Sequence, residues 1–201
     1  MGHPALGLVR RTLDSFGENL PMHLNLGILI GVAVLAVSFA AALMLHHTRA
    51  GAKFKEHVPD RPQRRVLLAG FGFLVTFAIV RGLAWSIHNN IGPFHNVEMG
   101  GRHIHHMVWG ILLLLLTGFA WVLEVGSGTG EVSAFLGRLT AILYGAGAAM
   151  TLDEFALWLN LEDVYWAREG RESIEAAMAF FVLCVMAYII AKAESKRRKA
   201  S

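Results

Sequence analysis

Five long apolar stretches, separated by short polar connections, set the pattern of this chain. They run over residues 26–45, 66–87, 104–125, 139–161 and 174–191. A bilayer's hydrocarbon core takes ~20 apolar residues of helix, so each stretch predicts a membrane span. The third is the most apolar, with the run ILLLLLTGFAWVL. The second is interrupted by Arg81 and the fourth by Asp153 and Glu154. Neither an internal repeat nor the alternation of a β-barrel is visible. The pattern predicts an all-α polytopic transmembrane helix bundle. Residues 1–25 form an amphipathic or disordered N-terminal segment, 26–191 the bundle, and 192–201 a basic cytoplasmic tail. The first apolar run begins near Leu26 and has no A-x-A exit, so it is expected to be a retained helix rather than a signal peptide.

Composition agrees with this pattern. Hydrophobic residues make up 55% of the chain and charged ones 16%, against roughly 25% charged in soluble domains. The net charge of +3 does not suggest nucleic acid, because the positive residues sit in short runs beside apolar stretches, as membrane-flanking residues do. They also set an orientation. Arg49, Lys53, Lys55, Arg61, Arg64 and Arg65 follow the first stretch, and Lys192, Lys196, Arg197, Arg198 and Lys199 end the chain. Only an odd number of spans puts both runs on one side, with Arg138. The opposite side holds Arg10, Arg11, Arg102, Arg168 and Arg171. The positive-inside rule then predicts five spans, with the N-terminus outside and the C-terminus cytoplasmic. The single cysteine, Cys184, lies in an apolar stretch and reads as a small buried hydrophobe.

The exceptions to apolarity gather on one side. In this topology HNNIGPFHNVEMGGRHIHH and LEDVYWAREGRES are both external, so His88, His95, His103, His105 and His106 share a face of the membrane with Glu162, Asp163 and Glu169. Arg81 precedes His88 by seven residues, and Asp153 and Glu154 precede Leu161 by eight and seven. At ~1.5 Å per residue all three are about 10–12 Å deep. An unpaired charge at such depth costs at least ~2.5–3.5 kcal/mol, so an ion pair between Arg81 and Asp153 or Glu154 is expected. Neighbouring residues of a helix point ~100° apart. One carboxylate can then meet Arg81 while the other faces the histidines that open the third stretch. Asp153 shares its face with Gly145 and Ala149, a small-residue strip that permits close packing. Along a helix His103 and His106 would share a face with Met107 and Gly110, with His105 pointing elsewhere unless the helix starts later.

Imidazoles and carboxylates within reach of each other suit a divalent metal, zinc or iron, with His103, His105, His106, Asp153 and Glu154 as ligands. The spacing is less specific than HExxH, where one helix fixes both ligands and base. A plainer reading makes the histidines interfacial residues and Arg81–Asp153/Glu154 a structural pair. His88 and Asp163 belong to either arrangement. His95, on a Gly/Pro/Asn loop, reads as solvated, and Trp109, Trp121, Trp158, Tyr165 and Trp166 as an aromatic belt.

The strings HIHHMVWG and TLDEFALWLNLEDVYW resemble those of uncharacterised bacterial multi-pass integral membrane proteins. That resemblance implies a compact helical bundle in the bacterial cytoplasmic membrane and supplies no activity. A remoter likeness is to seven-helix hydrolases with intramembrane zinc, such as alkaline ceramidases, from which this chain departs in helix number and in lacking a late helix with paired histidines.

Three functions fit the pattern. The first is a metal-dependent membrane enzyme acting on a lipid-type substrate near the outer leaflet, with Glu154 or Asp153 as general base on metal-bound water. The second is a non-catalytic scaffold or partner subunit. The third is a small proton- or ion-coupled transporter with Asp153, Glu154 and Arg81 as a relay. Expected partners are membrane lipids, and a second copy of the chain or another membrane protein.

Overall fold

The computed structural model describes residues 22–92, 98–99, 102–103 and 105–200, with side chains left undescribed at 22–33, 35, 98–99 and 102–103. The N-terminal segment expected to be amphipathic lies mostly outside these residues, as do His95 and the side chain of His103.

The described chain is helical apart from one small hairpin. In chain order it comprises α1 (Met22–His47), α2 (Arg49–His57), α3 (Arg61–His88), β1 (Glu98–Met99), β2 (Arg102–His103), α4 (His106–Val122), α5 (Glu131–Asp153), α6 (Phe155–Asn160), a 3-10 turn (Arg168–Gly170) and α7 (Arg171–Ala200). β1 and β2 pair antiparallel, Glu98 opposite His103 and Met99 opposite Arg102. Among the described residues, three helices are long and apolar enough to cross a membrane: those over Arg61–His88, Glu131–Asp153 and Arg168–Ala200. Ala36–His47 and His106–Val122 are shorter apolar helices.

α5 is the hub, touching α3, α4, α1 and α7. Its small residues explain why. A Cβ added at Gly145 would lie 1.9 Å from the Ala69 carbonyl oxygen of α3. One at Gly147 would meet the Gly110 carbonyl of α4 at 3.1 Å, and one at Gly110 would meet the Gly147 carbonyl at 2.8 Å. Backbones this close gain dispersion contact that larger side chains would prevent. Phe73, Ala148, Ala149 and Ala177 fill the space between α3, α5 and α7.

The outer surface is the more apolar one. Leu115, Leu116, Phe119 and Val122 of α4 are more than 60% exposed, and Met178, Val182, Leu183, Met186, Ile189 and Ile190 of α7 are also exposed. Buried positions include Ser38, Thr76, Thr117, Thr140, Ser173 and Ser195 beside alanines. A soluble monomer does not carry contiguous apolar surface of this extent, whereas a lipid-facing bundle must.

Three boundaries differ from those read along the chain. The third apolar stretch, expected as 104–125, is helical only from His106 to Val122, with His105 as its N-cap. The fourth, expected as 139–161, is not one helix. α5 starts earlier, at Glu131, and stops at Asp153, and α6 follows after Glu154. Glu154 leaves helical geometry (φ −112°, ψ 25°) because its side chain is bonded elsewhere, while Ser173 Oγ of α7 accepts the Ala156 N–H at 2.9 Å to cap α6. The last helix extends past 174–191 and absorbs the basic tail to Ala200.

Candidate functional site

The α5–α6 break places two adjacent carboxylates where α3, α4 and the chain before α7 meet. Asp153 ends α5 and is fully buried. Glu154 is both the C-cap of α5 and the N-cap of α6, and is 6% exposed.

Asp153 is held from three directions. Arg81 Nε of α3 lies 2.8 Å from Oδ1, and Arg81 Nη2 donates to the Asp153 backbone carbonyl at 3.4 Å. The same guanidinium therefore neutralises the carboxylate and occupies an orphan carbonyl at the end of α5. Tyr165 O–H donates to Oδ2 at 2.7 Å. His106 Nε2 lies 3.1 Å from that oxygen. The Arg81 Nε–Oδ1 and His106 Nε2–Oδ2 pairs are charge contacts by distance, but their angles fall short of a hydrogen bond's. Two rings flank the guanidinium: its carbon sits 4.5 Å from the Tyr165 centroid and 5.5 Å from that of Phe77. Both lie within the ~6 Å over which a cation is drawn to an aromatic face.

Glu154 faces α4. His105 Nδ1 is 2.7 Å from Oε1. The Met107 N–H donates to Oε2 at 2.9 Å, and His106 Nδ1 lies 3.5 Å from Oε2. His105, the N-cap residue, makes no capping bond with its own side chain. A carboxylate from α5 thus serves the open N-terminus of α4, where unpaired N–H groups and the helix dipole favour negative charge.

His106 is the link between the two carboxylates, with one ring nitrogen toward each. A neutral imidazole has one N–H and one lone pair. Between two ionised carboxylates, a neutral ring would turn its lone pair on an anionic oxygen. Two imidazoles, His105 bonded to Glu154 and His106 between the carboxylates, stand with Arg81 against the two acids, and a poorly solvated site favours a cluster whose charges are matched. The hydrogen bond from Glu154 raises the His105 imidazole above its ordinary value.

The remaining expected site residues lie elsewhere. His88 ends α3 and stacks on Trp166, centroids 4.3 Å apart. Asp163 Oδ1 accepts the Tyr165 backbone N–H at 3.4 Å and so supports the Tyr165 loop, and its charge also acts on His105. The side chain of His103, in β2, is outside the described residues. His105 does not point away, as a helix beginning before it would require, because α4 begins one residue later. Tyr165 is the member that the pattern of the chain did not disclose, since it reads as an interfacial aromatic. Its one available signal is that a buried tyrosine hydroxyl requires a partner. Burial, and then the charge and hydrogen bond of Asp153, push the Tyr165 phenol far above its ordinary value of 10.0.

Among the described residues, no group of three or more His, Cys, Asp and Glu side chains is arranged to hold a metal ion. The carboxylate oxygens are turned toward N–H and O–H groups of the protein rather than toward one shared point. The chain matches no protein family, no curated protein and no solved structure.

Proposed function

We propose that this chain is a five-span protein of the bacterial cytoplasmic membrane, N-terminus outside, with a proton-exchanging cluster at its outer end. Two features support spans beyond α3, α5 and α7: the 26 residues of α1 and the unbroken apolar run of α4. The distribution of Lys and Arg supports the orientation. The function this favours is a small proton-coupled transporter or channel component. His105, Glu154, His106 and Asp153 alternate imidazole and carboxylate from the partly exposed His105 to the fully buried Asp153. Arg81 and Tyr165 fix Asp153 at the inner end of this row.

The observation that carries the proposal is His106 between two carboxylates. In this reading the Glu154 carboxyl gives its proton to His106 Nδ1 as Nε2–H gives its own to Asp153, and a ring flip then restores the starting tautomer. A scaffold role accounts for the Arg81–Asp153 pair and for His106 beside Asp153, so proton flux decides between the two. The test is proton flux into liposomes containing the purified protein, followed with an internal pH dye. Uptake driven by an imposed potential, reduced at least tenfold by His106→Gln with Arg81 and Asp153 intact, is expected. Flux equal to that of empty liposomes would reject it.

A second reading, a metal-dependent enzyme acting on a lipid-type substrate, is favoured by the His105–Glu154 pair, because metal-binding imidazoles are commonly oriented by a carboxylate on their other nitrogen. In it His105 and His103 would be ligands and Glu154 would orient His105. Stoichiometric zinc or iron in purified protein, lost in His105→Ala, would favour it over the relay.

A further inference from the structure

The opposite end of α5 carries a second built feature. Arg61, Arg64 and Arg65 of α3 and Arg138 of α5 line a half-open pocket with Leu68, Gly126, Ala134 and Gly137. Its free space, counting the open mouth, is about 310 Å³.

Each guanidinium is held by backbone rather than by acid. Arg61 donates to the carbonyls of Ser127 (3.0 Å) and Gly128, and Arg64 to those of Val58 (2.7 Å) and Pro59. Arg65 donates to the Gly126 carbonyl. Arg138, almost fully buried, donates to the Leu45 carbonyl at 3.3 Å and contacts His46 Nδ1 at 3.1 Å. None of the four takes part in an ion pair among the described residues. Asp60, the N-cap of α3, accepts from Gln63 Nε2. Every bond named uses one terminal nitrogen of a guanidinium, which has five N–H donors.

The floor is shaped to let the arginines in. Gly126 adopts φ +80°, and a Cβ there would lie 2.5 Å from the Gly137 backbone. A Cβ at Gly137 would meet Arg65 Nη2 at 3.1 Å. Four cations gathered with no ion-paired carboxylate, Asp60 alone offsetting part of the charge at Arg64, repel one another in a partly desolvated place, and the N-terminus of α3 adds further positive potential. An anion with several oxygens answers this charge, since guanidinium forks match phosphate geometry.

We propose that this pocket binds a phosphate group, supplied by the headgroup of an anionic phospholipid or by a soluble phosphate. Arg138 lies about 23 Å from Asp153, at ~1.5 Å per residue along α5, and the site does not depend on the proton reading. If α3 and α5 cross the bilayer, the pocket sits at headgroup level in the basic cytoplasmic leaflet.

The test uses the full chain in nanodiscs and in detergent. Retention of phosphatidylglycerol over phosphatidylcholine is read by native mass spectrometry, and inorganic phosphate and pyrophosphate binding by calorimetry. Loss of one charge-assisted contact should weaken binding about tenfold, read in Arg61→Gln at the mouth and in Arg138→Lys, which keeps the charge but removes the fork. Lys53→Gln, on the same basic segment but outside the pocket, should leave it unchanged. Phosphatidylglycerol retained against excess inorganic phosphate identifies the headgroup, and displacement by inorganic phosphate identifies the soluble anion. No binding of any of these probes, or an equal loss in Lys53→Gln, would overturn the proposal.

Discussion

Asp153 shows how a fully buried carboxylate is made tolerable: an arginine, a phenol and an imidazole surround it. Removing one partner of a buried pair leaves the other uncompensated, at about 3–5 kcal/mol. Arg81→Met should therefore lower unfolding stability in detergent by roughly 3 kcal/mol, and adding Asp153→Leu should recover most of that loss. Tyr165→Phe removes a hydrogen bond to a charged group and should cost about 1.5–3 kcal/mol. The raised Tyr165 phenol has a signed consequence. The folded state keeps its proton while the unfolded chain releases it near the ordinary value of 10.0. This contribution is fully present below that pH and declines as pH rises above it. In an ultraviolet phenolate titration of the folded protein Tyr165 should stay silent through the ordinary range, so Tyr165→Phe should leave the amplitude titrating there unchanged. An ion pair between Arg81 and one of the two carboxylates was legible in the sequence, because membrane depth can be counted along a helix and a buried charge must find its opposite; which of the two was not, because adjacent residues lie at the same depth. Tyr165 was not, because it lies in an irregular connection, where spacing fixes neither depth nor direction.

The helices illustrate both the strength and the limit of hydrophobic patterning. The apolar stretches are helical where described, three of the helices being long and apolar enough to cross a membrane and two shorter, since a helix pairs the backbone's polar groups within itself. The break at Glu154 was hidden because LDEFALWL contains neither Gly nor Pro and keeps its apolar rhythm. It arises from tertiary hydrogen bonds, Glu154 to the Met107 N–H and Ser173 to the Ala156 N–H, that compete with the local helix. Ser173→Ala should therefore loosen α6 and speed amide exchange there ahead of α5. The small-residue strip around Gly145 and Ala149 was visible as spacing, but its partner was not, because the periodicity of one helix does not identify which neighbour packs against it. Gly145→Ala drives a Cβ into the Ala69 carbonyl and should destabilise by about 1–3 kcal/mol. Gly118→Ala, where nothing lies within 4 Å of the added carbon, should be neutral or stabilising by up to about 1 kcal/mol. Thermal unfolding of the pair measures the cost of backbone approach directly.

Viewed whole, the bundle has two polar ends joined by α5: a compensated acid–imidazole cluster and an uncompensated arginine pocket. Their opposite character follows the asymmetry of charge along the chain, and the proposed orientation puts the cluster outside. The clustering of His105, His106, Asp153 and Glu154 could be anticipated from their common side, while the order of contacts depended on α4 beginning at His106. The property that links this geometry to proton exchange is His106 standing between two carboxylates, with one ring nitrogen toward each. Solid-state NMR of the full chain in lipid, with histidine nitrogens and Asp and Glu carboxyl carbons labelled and His106 assigned by comparison with His106→Gln, measures that placement directly. Magnetisation transfer from both His106 ring nitrogens to carboxyl carbons is expected, one transfer lost in Asp153→Leu and the other in Glu154→Leu. A His106 ring with a carboxyl carbon near only one nitrogen, or near neither, would contradict the relay.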